Sequence, residues 1–366
     1  MGKSPTIVLQ EECEFWISRT VRRRAPVGVT VVIPAFNAAT TLSRAVESVL
    51  CQTMRDIEVV IADDASTDSS WAMIGRWLRQ DPRLRAIRHK QNSGKTTAMN
   101  RAAQIAHGRW LAVLDADDWY GPGRLAALID LAEARGADLV ADNQYFYDAG
   151  AAEIVGTAWP PRDTGWELTF DGFLDASNAY ETFNLGMLKP IVRMDYIRTK
   201  SLAYKIGMRH GQDFFYLLNF FLSGGRAVIA DTPHYYYTQP FGTVSRRWAD
   251  VSRRRYDFMS AYEINRRYID MIAGRLSRWQ IDRLQRRNDR LKYLDYFFQA
   301  KECVATRDWV GALAKLVNHP EMLGYAVRRF RHRIYPRPPS VPIERVAMRA
   351  RQRFEEDARQ ESAASP

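Results

Sequence analysis

The chain has 366 residues, a formal net charge of +11, 46% hydrophobic residues and 12% aromatic residues. That apolar share supports a sizeable core and excludes a disordered protein, and the length suits one large domain with an extension. The basic balance fits nucleic acid, an anionic membrane or phosphorylated small molecules as partners, and by itself does not choose among them.

Residues 1–27 form a polar and basic lead-in that ends in Arg22-Arg23-Arg24-Ala25-Pro26. Thr30 to Ile33 is a short β-branched run halted by Pro34, which predicts a buried strand. Leu42, Ala45, Val46, Val49 and Leu50 follow at helical spacing. A second strand is expected over Ile57 to Ala62, ending in Asp63-Asp64, with Thr67 and Asp68 capping a helix that bears Met73, Ile74, Trp77 and Leu78. Leu84 to Ile87 reads as a third strand, and 94–107 as a helix entered through Asn92-Ser93. Trp110 to Leu114 is a fourth strand, closed by Asp115-Ala116-Asp117-Asp118. Pro122 opens a helix with Leu125, Leu128 and Ile129, and Leu139 to Ala141 begins a fifth strand.

This alternation predicts an α/β protein with a mostly parallel sheet covered by helices. Ligands of such sheets bind beyond the carboxyl ends of the strands, which is where the Asp-rich stretches fall. Residues 148–186 lose the alternation and read as loops over the sheet edge. A strand over 187–193, a helix over 211–222 and a strand over 227–230 are expected next. From Trp248 onward the chain reads as Arg-rich helices, with Ile281, Leu284, Leu291, Leu294 and Phe298 at helical spacing. The expected division is a lead-in over 1–27, an α/β domain over 28–245, an Arg-rich helical extension over 246–335, and a Pro-rich, polar tail over 336–366.

Asp115-x-Asp117 follows a strand directly. A diphosphate leaving group needs a hard divalent cation, and carboxylate oxygens suit Mn2+ or Mg2+. Alone, the same triplet is an ordinary polar turn. Asp63-Asp64 serves equally as a base or ribose contact or as a helix cap. Pro34-Ala35-Phe36-Asn37 offers backbone and an apolar ring to a base. Asn92-Ser93-Gly94-Lys95 enters a helix, and a helix N-terminus beside a Lys attracts phosphate. It lacks the upstream Gly of a P-loop, and no Gly-x-Gly-x-x-Gly follows the first strand. Asn100 on that helix is either a donor contact or structural.

Taken in order, Val31-Val32-Ile33-Pro34-Ala35-Phe36-Asn37, Ile61-Ala62-Asp63-Asp64-Ala65-Ser66-Thr67-Asp68, Asn92-Ser93-Gly94 with Asn100, and Leu114-Asp115-Ala116-Asp117-Asp118 resemble family 2 glycosyltransferases of the GT-A fold, across roughly residues 30–145. Met99 departs from the Arg that many relatives carry there. The resemblance implies a nucleotide-sugar donor, its base bound by Asp64 and the Pro34 to Asn37 backbone, with Asn92, Gly94, Lys95 and Asn100 on the donor side. It also implies that Asp115 contacts ribose or sugar, and that Asp117 holds the metal. The catalytic base of the family is the Asp of a Glu-Asp pair opening a later helix. Gly211-Gln212-Asp213 occupies that place, with Gln for Glu. Together with Leu188-Lys189-Pro190 and Arg193, it is similar to bacterial exopolysaccharide-type transferases.

Arg246-Arg247-Trp248 departs from the Gln-x-x-Arg-Trp motif of processive relatives, because Val244 stands where Gln belongs. Transfer of one sugar to a glycan or lipid-linked acceptor is therefore expected. Tyr235 to Thr238 either borders the acceptor or diphosphate, or is a plain strand and turn. His234 is a weak further metal candidate. The Arg-rich region is either a helical extension with a solvated basic face or a peripheral membrane surface, with Arg328, Arg329, Arg331 and Arg333 toward anionic headgroups. Three cysteines without metal spacing and no apolar run of roughly 20 residues predict a cytoplasmic protein. The rival readings are a sugar nucleotidyltransferase, which needs a Gly-rich first loop, a basic nucleic-acid binder, for which no recognition motif is present, and a degenerate transferase that only scaffolds.

Overall fold

The computed structural model describes residues 13–17, 27–161, 164–177, 184–208, 211–239 and 257–324. Its centre is an eleven-stranded sheet. Strand β2 (Val29–Ala35) lies between β3 (Ile57–Asp63) and β5 (Trp110–Val113), parallel to both, and β4 (Leu84–His89) continues the parallel run beyond β3. Val29, Val31, Val32 and Ile33 are wholly buried, as expected of a strand covered on both faces.

Successive residues point to opposite faces, so the strands feed two cores. Val31 and Ile33 pack with α1 (Leu42–Leu50), α2 (Ser70–Gln80) and α4 (Arg124–Ala134). Val32 and Val60 pack with α3 (Lys95–Ile105) and with the aromatic helix α7 (Gln212–Leu222). From β2 the chain runs outward to β3 and β4, then returns to the other side of β2 as β5. The strand order reverses between β2 and β5, and the crevice at such a reversal is the ligand position of open α/β sheets.

Several elements differ from the sequence expectations. The lead-in contributes a strand, β1 (Cys13–Ile17), paired antiparallel to the outer edge of β4. The 148–186 stretch holds three elements in place of loops alone: β8 (Glu153–Thr157), β9 (Gly165–Leu168) and α5 (Phe170–Ala176). Strand β8 has no apolar alternation, because it is an exposed ribbon recruited by pairing with β7 (Leu139–Asp148). The 187–193 strand shortens to β10 (Ile191–Arg193), which follows a 3-10 turn over Leu185–Met187 and wedges antiparallel between β5 and β7. Helix α6 (Met194–Lys200) leaves it directly. The 227–230 strand extends to β11 (Ala227–Gln239), parallel to β7 and antiparallel to the two-residue β6 (Trp119–Tyr120).

Beyond the sheet come α8 (Phe258–Ile272), α9 (Arg278–Ala305) and α10 (Trp309–Asn318). Ser277 and Gln280 close a reciprocal capping box at the start of α9. Tyr268, Ile269, Ile272 and Leu284 join the core around α7, while Phe258, Ala261, Leu291 and Leu294 close a smaller core between α8 and α9. The expected Leu284, Leu291 and Leu294 stripe is thus the buried face of α9. Among the described residues no helix is long and apolar enough to cross a membrane. Val244, Arg246 to Trp248, Arg328 to Arg333 and the 336–366 tail lie outside the described residues.

Candidate donor site

The loops leaving β2 and β3 are laced together. Asn37 adopts a left-handed backbone, φ 51°, which Asn tolerates better than most side chains. Its Oδ1 accepts the Thr67 N–H at 2.8 Å, its own N–H donates to Ser66 Oγ at 3.0 Å, and the Ala38 N–H donates to Ser70 Oγ at 2.9 Å. Asn37 therefore holds loop to loop, while Pro34 and Phe36 lie half-buried beside Ala35 at the end of β2. Helix α2 begins without a side-chain cap at Ser69, and Asp68 Oδ1 accepts the Ser70 N–H at 2.9 Å.

Asp64 is 3% exposed and anchors the next loop. Its carboxylate meets His89 Nδ1 at 2.7 Å and accepts the Ser93 and Gly94 N–H groups, each at 2.8 Å, while its carbonyl accepts Asn92 Nδ2 at 3.3 Å. Burial alone would raise this carboxyl, but the bonds from His89, Ser93 and Gly94 outweigh it and hold it below its ordinary value. Gly94, at φ 86°, turns the chain into α3 in a conformation that strains any side chain.

That turn delivers Lys95, the first residue of α3, to the end of β5. Lys95 Nζ lies 2.6 Å from Asp115 Oδ1 and 4.0 Å from Asp213 Oδ2. The other Asp115 oxygen lies 2.9 Å from Lys189 Nζ, which in turn donates to Asp213 Oδ2 at 2.9 Å. Lys95, Asp115, Lys189 and Asp213 therefore form one cluster of two ammonium and two carboxylate groups. Burial works against charge on Lys189, but Asp115 and then Asp213 raise its pKa well above the ordinary value, so it stays protonated. Against the same desolvation, Lys189 and Lys95 hold Asp115 well below the usual carboxylate range.

Lys189 was absent from the expected site residues. Its sequence signal was the Leu188-Lys189-Pro190 triplet, which marks the place without revealing the partners. Its carbonyl accepts Arg124 Nη2 at 2.7 Å, and the wholly buried Arg124 also forks onto Asp142. Asn100 stands apart from the cluster. Its amide donates to the Tyr204 carbonyl at 2.7 Å and accepts the Tyr204 N–H at 2.8 Å, a scaffolding contact between α3 and the segment after α6.

The carboxylates of Asp115, Asp117 and Asp118 have oxygens within 4.8 Å of one another. Their surroundings differ. Asp118 accepts the Tyr235 hydroxyl at 2.6 Å and the Thr238 N–H at 2.8 Å, so it braces the turn from within, which suits a structural neighbour. The Asp117 carbonyl accepts Thr238 Oγ1 at 2.6 Å and Arg44 Nη2 at 3.2 Å, with the Arg44 guanidinium 3.8 Å over the Trp119 ring. The Asp117 carboxylate is met by its own backbone N–H, with the Lys95 and Lys189 charges at longer range. Burial, and then the Asp115 charge, push its carboxyl up to about 6. An oxygen donor destabilised by desolvation and a neighbouring anion is one that a dication stabilises, so the donor set fits Mn2+ or Mg2+. His234 lies outside this set. Its backbone pairs with Asp142 and Gly121.

A model of the family described as Glycosyl transferase family 2 matches residues 30–191, from β2 to the start of β10. Succinoglycan biosynthesis protein ExoO of Rhizobium meliloti (strain 1021) is 34% identical over 221 residues, 60% of this chain and 62% of that protein. Succinoglycan biosynthesis protein ExoU of the same strain is 32% identical over 246 residues, 66% of this chain and 69% of that protein. The chain therefore spans a little under two thirds of ExoO and somewhat more of ExoU. The crystal structure of S. aureus TarS 1-349 in complex with UDP-GlcNAc superposes with a TM-score of 0.55 at 15% identity, covering 75% of this chain and 80% of that one. That likeness concerns the fold, which is GT-A. With matched motifs standing at the reversal of a GT-A sheet, and with relatives at this identity and coverage, the chain belongs to glycosyltransferase family 2.

Proposed function

We propose that this chain is an inverting, non-processive glycosyltransferase. It moves a sugar from a nucleoside-diphosphate sugar, a UDP-sugar foremost, to a hydroxyl of a glycan or lipid-linked saccharide in cell-surface or exopolysaccharide synthesis. The observation that carries this reading is the shared cluster of Asp115 and Asp213. It joins the end of a donor-side strand to the start of a later helix through Lys189, with 2.9 Å to each carboxylate. The place of ExoO and ExoU in succinoglycan biosynthesis and the UDP-GlcNAc bound by TarS support the choice of donor and pathway class.

In this reading the Pro34 to Asn37 loop and Asp64 receive the base, directly or through the turn that Asp64 holds. Lys95 and the Asn92 to Gly94 turn face the diphosphate, and Asp115 contacts ribose or sugar. Asp213 accepts the proton of the acceptor hydroxyl as that oxygen bonds to the anomeric carbon. The bond from the anomeric carbon to the diphosphate oxygen breaks on the opposite face, so one displacement inverts the centre. A divalent cation held by Asp117 supplies positive charge for the departing nucleoside diphosphate. The transferase unit is 28–245, with an Arg-rich extension over 246–335 whose described part, 257–324, is largely helical. It works in the cytoplasm without nucleic acid, its basic extension either solvated or resting on the inner face of the membrane.

The test is a screen of nucleotide-sugars with Mn2+ or Mg2+, following released nucleoside diphosphate. Wild type is expected to turn over a UDP-sugar only with the metal, and Asp213→Asn to bind UDP yet lose transfer. Unchanged turnover in Asp213→Asn refutes the base.

A further inference from the structure

A carboxylate acting as a base has two oxygens, and only one is needed to take a proton. Asp213 is the second residue of α7, and Gly211 ahead of it leaves that helix without a side-chain cap. The Asp213 carboxylate is engaged across the site instead, with Oδ2 accepting Lys189 Nζ at 2.9 Å. Its Oδ1 is shielded from solvent and has no hydrogen-bond partner among the described residues. Lys189 is 5% exposed, and both of its close contacts are carboxylates, whereas Lys95 is 29% exposed on its side chain. Of the two ammonium groups, Lys95 is therefore the one open to an incoming diphosphate.

Lys189 is also held at its other end. Arg124 donates to its carbonyl at 2.7 Å, and Pro190 fixes the following backbone angle. A side chain tied at both ends places its charge with small error, which is what a catalytic group needs from its supports.

We infer that Lys189 is a positioning residue that fixes the Asp213 carboxylate through Oδ2. This rests on the reading of Asp213 as the base. Because the same ammonium touches Asp115, Lys189 also sets the distance between the donor side and the base. The four charges sum to zero, so the cluster holds no uncompensated ion of its own.

The test compares Lys189→Met, Lys189→Arg, Asp213→Asn and the Lys189→Met/Asp213→Asn double variant in the full chain. UDP binding with Mn2+ is read by calorimetry, and turnover by UDP release from the UDP-sugar that wild type uses, with water as acceptor. Lys189→Met is expected to bind UDP within about threefold of wild type while turnover falls on the order of 100-fold. Lys189→Arg keeps the charge and recovers part of the rate, remaining about tenfold slow. The double variant is no slower than Asp213→Asn, because groups acting as one unit are not additive. Equal losses of UDP binding and turnover in Lys189→Met would make it a phosphate ligand and overturn the inference, as would multiplied losses in the double variant. If Lys189→Met does not fold, unchanged turnover in Lys189→Arg overturns it equally. An inactive Asp213→Asn beside a fully active Lys189→Met sinks this inference alone. A fully active Asp213→Asn sinks the base reading beneath it.

Discussion

The Tyr235 hydroxyl donates to Asp118 Oδ2 at 2.6 Å while accepting the Asp115 N–H at 3.3 Å. One side chain on β11 thus braces both ends of the Asp115 to Asp118 turn, with Asp117 between them. Burial, then Asp117 and Asp115, hold the Asp118 carboxyl well above its ordinary range, and the Thr238 N–H and the Tyr235 hydroxyl oppose that rise.

Removing the hydroxyl therefore acts on an oxygen that water does not reach. Tyr235→Phe is expected to cost about 1–3 kcal/mol, the usual penalty for leaving a buried polar group short of a partner. It should also weaken Mn2+ binding several-fold by loosening the turn. Thermal unfolding and calorimetric titration with Mn2+ and UDP check both effects, and wild-type values in both would mean that the bridge is dispensable.

How much of this was legible in the sequence depends on the range of the signal. Pro34 to Asn37, Asp63-Asp64 and Asp115 to Asp118 each end a β-branched or apolar run, so strand period and motif fall in one local window. The reversal between β2 and β5 then brings those windows together. The strand over 187–193 was legible but its place was not, because nothing in three residues says that they wedge antiparallel between β5 and β7. Lys189 was not legible as a site residue for a related reason. A lysine becomes a buried cation only through carboxylates that other elements supply, here from the end of β5 and the start of α7. Asn100 shows the converse, since its polar type on the α3 face suited a ligand equally well until the Tyr204 backbone claimed both ends of its amide.

Asp117 gives a pH signature with a definite sign. Its carboxyl sits at about 6 in the folded, metal-free chain, against about 3.9 in an unfolded one. Between those values the folded state binds more protons, so this group lowers stability as pH rises through the window. Asp117→Asn removes that loss. The metal-free variant is expected to exceed wild type by up to about 3 kcal/mol at pH 8 and to match it below pH 4. Mn2+ should restore wild type and leave the variant unmoved. Urea unfolding at several pH values, with and without Mn2+, reads this out; a pH-independent gap, or equal stabilisation of both by Mn2+, contradicts the assignment.

Asp64 predicts a local effect. Its carboxylate is held below its ordinary value, so its stabilisation is present at neutral pH and fades as pH falls through the lowered folded pKa. Asp64→Asn places an amide where two backbone N–H groups and His89 converge. The Ser93 and Gly94 amides should exchange hydrogen faster by at least tenfold, and UDP affinity should fall as Lys95 loses its fixed start of α3. Unaltered protection at those two amides would show that the turn does not depend on Asp64.

Arg124 separates stability from catalysis. It is wholly buried, forks onto Asp142 with contacts of 2.7–3.2 Å, and its Nη2 also donates to the Lys189 carbonyl. Arg124→Met leaves Asp142 charged and uncompensated, with the His234 N–H as a remaining donor at 3.1 Å. Breaking a buried pair in this way costs about 3–5 kcal/mol, whereas replacing both partners by apolar groups is often neutral. The Arg124→Met/Asp142→Leu double variant should therefore recover most of the stability lost by Arg124→Met. Turnover should not recover with it, because the Lys189 carbonyl still lacks its donor and the ammonium between Asp115 and Asp213 is held at one end only. Unfolding free energy and UDP release measured on the same three proteins decide the matter. If activity returned with stability, Arg124 would act through the fold alone; if stability returned without activity, the path from Arg124 through Lys189 to Asp213 would be the one that sets the base.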